Sequence, residues 1–259
     1  MAVDRREFLK IAGLSTLLGL GGKAGFEVLS GKEVEASLSR EPQAGKRWAM
    51  VVNMRKCLEK EGCTDCMKAC HLAHNVPHID NPRHEVKWIW TDSFEHVFPS
   101  QEMENEYVVE RLAGKPFLVL CNHCERPPCV RVCPTKATFQ NADGVVVMDY
   151  HRCIGCRFCM AGCPYGSRSF NWKDPRKYLQ ETNLEFPTRM RGVVEKCNFC
   201  SERLDKGLQP ACVEACKDQA ILFGNVRDPD SEVRQTLRAS FTIRRKPELG
   251  TLPQVYYIV

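Results

Sequence analysis

The run Cys153-Ile154-Gly155-Cys156-Arg157-Phe158-Cys159-Met160-Ala161-Gly162-Cys163-Pro164 sets four thiols on one short stretch of chain. Its pattern, Cys-x2-Cys-x2-Cys-x3-Cys-Pro, suits a cubane iron–sulfur cluster. Three thiolates on a tight loop can cap three iron corners. The fourth sits about one helical turn further on, points away, and serves a neighbouring cluster. One such run therefore implies a second.

The chain of 259 residues contains 16 Cys, and they fall into four groups of four. A second group, Cys121, Cys124, Cys129 and Cys133, has x2, x4 and x3 gaps and again a proline after its last Cys. Pro127 and Pro128 stiffen its widened loop, and His123 inside the loop is read as support for a ligand rather than as a ligand. A third group is Cys197 and Cys200, then eleven residues, then Cys212 and Cys216. Ser201 to Lys206 predicts a short helix ended by Gly207, which makes the insertion a compact detour. The first group in the chain, Cys57, Cys63, Cys66 and Cys70, keeps the x2 and x3 gaps but opens with five residues, Leu58 to Gly62. A small loop at Gly62 must absorb them, so the spacing leaves ligation by Cys57 open.

Two other uses of cysteine compete. Zinc sites favour two well-separated Cys pairs with a long spacer and often His. Disulfides are arithmetically possible in an exported protein, yet thiols so close on one tight loop cannot readily bridge each other. The crowding of the two inner groups favours clusters over both. No Cys-x-x-Cys is followed by His, so the covalent c-type haem motif is absent, and so is a Walker A run. No set of residues for acid–base or nucleophilic work stands out. The expected role is electron transfer, not catalysis.

These groups need elements to hold them. Trp48 to Met54 reads as a strand leading into the first group, and Phe117 to Leu120 as a strand leading into the second. Phe139 to Tyr150, with its turn at Asn141-Ala142-Asp143-Gly144, reads as a hairpin between the inner groups, and Ala220 to Phe223 as a return strand. The insert 71–120 lacks Cys until its end and contains His71, His74, His78, His84 and His96. His71 and His74 would share a helix face. They are metal ligands, proton relays, or supporting or surface histidines; without an evident third ligand the last is preferred. Trp88 and Trp90 alternate as on a strand and are assigned to the core. Residues 164 to 196 are rich in Arg, Lys, Pro and aromatics. A nucleic-acid-binding loop and a merely solvated one are the alternatives, and a loop covering the clusters and docking an acidic or membrane partner is preferred. The tail 227–259 is expected to be extended.

Asp4-Arg5-Arg6-Glu7-Phe8-Leu9-Lys10 before the apolar run Ile11 to Leu20 resembles a twin-arginine export signal. That run is shorter than the roughly 20 residues a spanning helix needs. Gly19-Leu20-Gly21-Gly22-Lys23-Ala24 fits a dinucleotide fingerprint only by accident, since no strand precedes it. Segment 1–36 is thus assigned to signal and linker. The formal charge of +5 does not indicate nucleic-acid binding, because each oxidised cubane with its thiolates contributes roughly −2 and the basic residues are scattered.

Taken together, the four spacings resemble the four-cluster ferredoxin subunits of membrane oxidoreductases, the family of NrfC-type proteins and of the electron-transfer subunits of polysulfide, dimethyl-sulfoxide and formate enzymes. Pro127-Pro128, Cys163-Pro164-Tyr165-Gly166 and Gly207-Leu208-Gln209-Pro210-Ala211-Cys212 carry the likeness. A narrower resemblance, to DsrO-type subunits of DsrMKJOP sulfur-metabolism complexes, rests on Gly45 to Met50, His71 to Pro77, His84 to Trp90 and Ser167 to Trp172. The family implies an α+β, tandem ferredoxin-like fold over 47–259, with an inner unit near 117–170 and an outer unit from 50–75 and 193–226. It implies four [4Fe–4S] clusters, with Cys153, Cys156, Cys159 and Cys133 on one and Cys121, Cys124, Cys129 and Cys163 on its neighbour. It pairs Cys57, Cys63 and Cys66 with Cys216, and Cys197, Cys200 and Cys212 with Cys70. The implied partners are an NrfD-type integral membrane subunit, a multihaem cytochrome c and further subunits, which would hold the exported chain at the outer face of the membrane. A molybdopterin reductase is the alternative setting, and a non-redox zinc or disulfide scaffold the remaining one.

Overall fold

The structure, a computed structural model, describes residues 45–100 and 106–259. The twin-arginine segment and most of its linker lie outside the described residues. Strand β1 (Trp48–Asn53) is the central element. It forms because alternating β-branched and bulky residues bury well on both faces. It runs into helices α1 (Met54–Glu59) and α2 (Asp65–Ala73). Then come β2 (Ile89–Ser93), α3 (Phe94–Val97), α4 (Glu106–Leu112) and β3 (Pro116–Leu120). The inner region contains α5 (Pro128–Arg131), β4 (Thr138–Gln140), β5 (Val146–Met148), α6 (Phe158–Ala161) and β6 (Ser169–Phe170). The chain returns through β7 (Val194–Glu195), α7 (Ser201–Leu204), α8 (Ala211–Glu214) and β8 (Ile221–Asn225), and closes with α9 (Glu232–Ala239) and β9 (Val255–Ile258). Small helices and small sheets make the class α+β.

Among the described residues the largest sheet has the order β8-β1-β9. β8 is antiparallel to β1, with Met50 opposite Phe223, and β9 is parallel to it, with Met50 opposite Val255. The period of two sends Met50 and Val52 into the main core and Ala49 and Val51 to the opposite face. In the main core Phe94, Phe98, Phe117 and Tyr257 pack ring against ring, the Phe98 and Tyr257 rings edge to face at 5.2 Å. Strand β2 pairs with β3, β4 with β5, and β6 with β7. The strands expected at Trp48, Phe117, Phe139 to Tyr150 and Ala220 are all present, and Trp88 is fully buried as assigned.

The tail needs correction. Residues 227–259 are not simply extended, because they include helix α9. Ser231 caps it by accepting from the Arg234 amide at 3.2 Å. Val233 and Leu237, one turn apart, then pack on the face of β1 that presents Ala49 and Val51. Without that helix this face of the sheet would meet water, and the apolar effect of covering it overrides the polar look of the segment. Only the last stretch is extended, and there it becomes β9.

Candidate metal centres

Cys57 lies on α1, Cys66 and Cys70 on α2, and Cys63 on the turn between. The five-residue gap is taken up by the end of α1 and a turn through Gly62, whose φ of 71° suits glycine. The Cys63 amide closes this turn on the Lys60 carbonyl at 3.2 Å. Cys57, Cys63, Cys66 and Cys216 thereby line one cavity of about 440 Å³. Burial, then Cys216 and Cys63, pushes the Cys57 thiol up. Burial, then Cys57, Cys216 and Cys63, pushes Cys66 up to about 12.

Helix α2 packs on α8, which brings Cys70 against the third group of thiols. Burial raises the Cys70 thiol well above its usual range, followed by Cys197, Cys212 and Cys200. The Ala211 amide donates to Cys200 Sγ at 3.4 Å, and the Phe199 amide to Cys197 Sγ at 3.5 Å. The predicted helix after Cys200 is α7, and Gly207 follows it at φ 74°.

Cys121, Cys124, Cys129 and Cys163 line a second, narrower cavity, closed by Pro127, Pro128 and Tyr165. Burial, then Cys121, pushes Cys124 up to about 12. Helices α5 and α6 pack together, so Cys129 lies beside Cys159. On the far side Cys159 neighbours Cys153, while Cys153, Cys156 and Cys133 are half-buried. The thiol of Cys133 lies 3.7 Å from Thr135 Oγ1. Burial pushes it up, but hydrogen bonds from the Thr138 amide and from Thr135 outweigh burial and hold it below the usual thiol range. The cysteines also adjoin from site to site: Cys66 and Cys70 share α2, and Cys197 neighbours Cys121.

Gly155 turns the loop between Cys153 and Cys156 at φ 70°, and a methyl group there would collide with the Gly192 carbonyl. Gly155→Ala is expected to cost about 1–3 kcal/mol through strain alone and to lower iron content. Iron analysis beside thermal unfolding checks it.

The polar groups around the thiols were less visible in the sequence. His74 is buried, and its Nε2 bonds Glu202 at 2.8 Å while Nδ1 lies 3.0 Å from the Cys70 carbonyl. Burial opposes its charge, but hydrogen bonds to Cys200 and Glu202 outweigh burial and raise it to about 9. His74, Cys200 and Glu202 are close enough to ligate one metal, while Cys200 also faces the second quartet. Glu202 had no sequence signal beyond lying two residues after Cys200. His123 is buried, stacked on Phe199 at 3.6 Å, and accepts from the Val146 amide at 3.1 Å. Part of the basic aromatic stretch is internal, while Trp172, Tyr178 and Leu184 are exposed. Arg189 and Glu195 form a buried ion pair at 2.6 Å, Trp88 Nε1 donates to Glu195 at 3.0 Å, and Lys196 bonds the Val146 and Cys197 carbonyls.

The residues fit iron–sulfur clusters. All sixteen thiols are free, which removes the disulfide reading. Burial raises Cys57, Cys66, Cys70, Cys124, Cys159, Cys163, Cys197 and Cys212, and neighbouring thiols add to it, so these need a shared cationic centre to stand together as thiolates. Arg168, only 5% exposed, presents its guanidinium to Cys129 at 3.0 Å and has no carboxylate among its hydrogen-bond partners. A buried cation so placed calls for anionic sulfur.

A fold of small helices and sheets wrapped around clustered Cys loops defines a ferredoxin-type iron–sulfur protein. The 4Fe-4S dicluster domain family matches residues 116–187 and 182–226. The Hdr-like menaquinol oxidoreductase iron-sulfur subunit 1 of Archaeoglobus fulgidus is 38% identical, covering 98% of this chain and 97% of that protein. The arsenate respiratory reductase iron-sulfur subunit ArrB of Shewanella strain ANA-3 is 35% identical over 82% of this chain and 96% of its own. Protein NrfC of Escherichia coli is 33% identical over 100% and 96%. The chain belongs to this NrfC-like family of [4Fe–4S] electron-transfer subunits of oxidoreductase complexes. Its cofactors are [4Fe–4S] clusters, and it is not itself the catalytic subunit.

Proposed function

We propose that the chain holds four [4Fe–4S] clusters in a row and serves as the electron wire of a membrane-bound, sulfur-metabolising complex of the DsrMKJOP type. Its fold is then a duplicated ferredoxin, with the inner unit near 117–170 and the outer unit built from 50–75 and 193–226. The ligand sets are Cys57, Cys63, Cys66 with Cys216; Cys197, Cys200, Cys212 with Cys70; Cys121, Cys124, Cys129 with Cys163; and Cys153, Cys156, Cys159 with Cys133. The observation that carries this reading is the interlocking of the groups, in which Cys216 joins the cavity of Cys57, Cys63 and Cys66 while Cys70 joins Cys197, Cys200 and Cys212. When bound, each cluster supplies a one-electron redox centre. The chain's own residues bury the sulfurs, donate amides to them and hold neighbouring sites in contact through α2 and through the α5–α6 pair.

The exposed Cys63 at one end and the half-buried Cys133, Cys153 and Cys156 at the other support entry and exit at the two terminal sites. Among the described residues no helix is long and apolar enough to cross a membrane. Membrane attachment is assigned to partners, an NrfD-type integral subunit and a multihaem cytochrome c, on the family resemblance. Arg5-Arg6 supports export by the twin-arginine route to the outer face. The name of the menaquinol oxidoreductase relative supports a quinone-handling partner. That of the arsenate respiratory reductase relative favours the second reading, the same wire serving a terminal reductase of the molybdopterin type.

Anaerobic purification with iron, sulfide and zinc analysis tests the count. About sixteen irons and sixteen sulfides per chain are expected; about eight, or zinc in their place, would overturn the four-cluster reading. Co-purification of an integral membrane subunit and a haem protein, against a molybdenum subunit, separates the two settings.

A further inference from the structure

We propose that Arg168 is a shared counter-charge for the two inner clusters, setting the reduction potential of both from the wall between them. The proposal rests on the four-cluster reading above. Arg168 is pinned on both sides. The preceding Ser167 donates to the Leu120 carbonyl at 3.2 Å, and the following Ser169 and Phe170 form β6 against β7. Its side chain is therefore aimed inward by the backbone rather than drawn in by a carboxylate.

The guanidinium makes an unusual set of contacts. Nη2 donates to Cys129 Sγ at 3.0 Å and to Thr138 Oγ1 at 2.9 Å, and Nη1 meets Met148 Sδ at 3.3 Å. Cys159, beside Cys129 across the α5–α6 contact, lies close enough to feel the guanidinium charge. Cys129 and Cys159 belong to different clusters in the proposed ligand sets, so one cation faces both. A guanidinium keeps its proton at any pH a protein survives. The charge is thus fixed, and only sulfur is there to balance it. Fixed positive charge and hydrogen bonds to sulfur both favour the more negative, reduced state of a cluster. Because the same charge faces both neighbours, it also offsets the repulsion that reduction of one imposes on the other.

The test compares Arg168→Gln, which keeps a polar group without charge, with Arg168→Lys, which keeps the charge without the fork. Both are made in the full chain with its clusters, and each is followed by EPR-monitored redox titration and iron analysis. In Arg168→Gln the reduced-to-oxidised ratio of two clusters should fall at least tenfold at a fixed ambient potential, a downward shift of about 59 mV for a one-electron centre. The other two clusters should move less than threefold. Arg168→Lys should return both inner clusters most of the way to the unmodified chain. A shift in one cluster alone, equal shifts in Gln and Lys variants, or no shift would overturn the proposal. If the Gln variant loses inner iron, the Lys variant decides: full iron supports a charge role, and loss there as well marks a merely structural prop. Iron content of the unmodified chain tests the four-cluster reading separately.

Discussion

Cys163→Ala should empty both inner sites at once, lowering iron from about sixteen to about eight per chain. Cys163 lines the cavity with Cys121, Cys124 and Cys129, so its loss removes a ligand from that site directly. The second loss is mechanical. Cys163 follows α6, and α6 bears Cys159 of the neighbouring set. Helix α6 is held against α5, which bears Cys129. Each is about one turn long, too short to persist without tertiary support. An emptied cavity between them removes that support, and Cys159 loses its place. The outer sites sit on α2 and α8 and should keep their EPR signals. Clean loss of about four irons, with the adjacent signal unchanged, would contradict the interlocked arrangement.

Glu195→Ala should destabilise the chain by about 3–5 kcal/mol with clusters retained, because it strands a buried guanidinium. Arg189 and Glu195 are both fully inaccessible and pair at 2.6 Å. Arg189 also donates to the His74 and Asn75 carbonyls, so its position is set by the end of α2. Glu195 in turn receives Trp88 Nε1 and Asn171. One ion pair therefore ties the insert 71–120, helix α2 and strand β7 together. In anaerobic thermal unfolding the midpoint should fall by about 6 °C or more. Replacing both partners by apolar residues, Arg189→Met with Glu195→Leu, should recover much of the loss, since no unpaired charge then stays buried. A double variant no better than the single would show that the pair acts through its hydrogen bonds rather than its charge.

The cysteine spacing made most of the candidate sites legible, because a loop that must wrap a cube tolerates few gap lengths. Strands such as Trp48–Asn53 and Pro116–Leu120 were legible too, being short apolar runs that stop at the Cys groups. The amphipathic pair Val233 and Leu237 was not, since the two apolar residues sit in a charged segment and only the apolar face of β1 that they cover gives them a reason to be helical. The contribution of Glu202, Arg168, Arg189 and Glu195 was also hidden. Charged residues look solvated in a sequence unless something shows that water has been excluded from them.

What the residue order determined by itself was the chemistry: which side chains can bind iron, and in what local loops. Local spacing suffices for that because each loop is only a few residues long. What the tertiary structure decided was neighbourhood. Cys216 reaches Cys57 from the far end of the chain only because β8 returns antiparallel to β1, and Cys121 meets Cys197 only through the packing around Lys196. Such contacts depend on which surfaces bury each other, a property of the whole folded chain that no local pattern encodes.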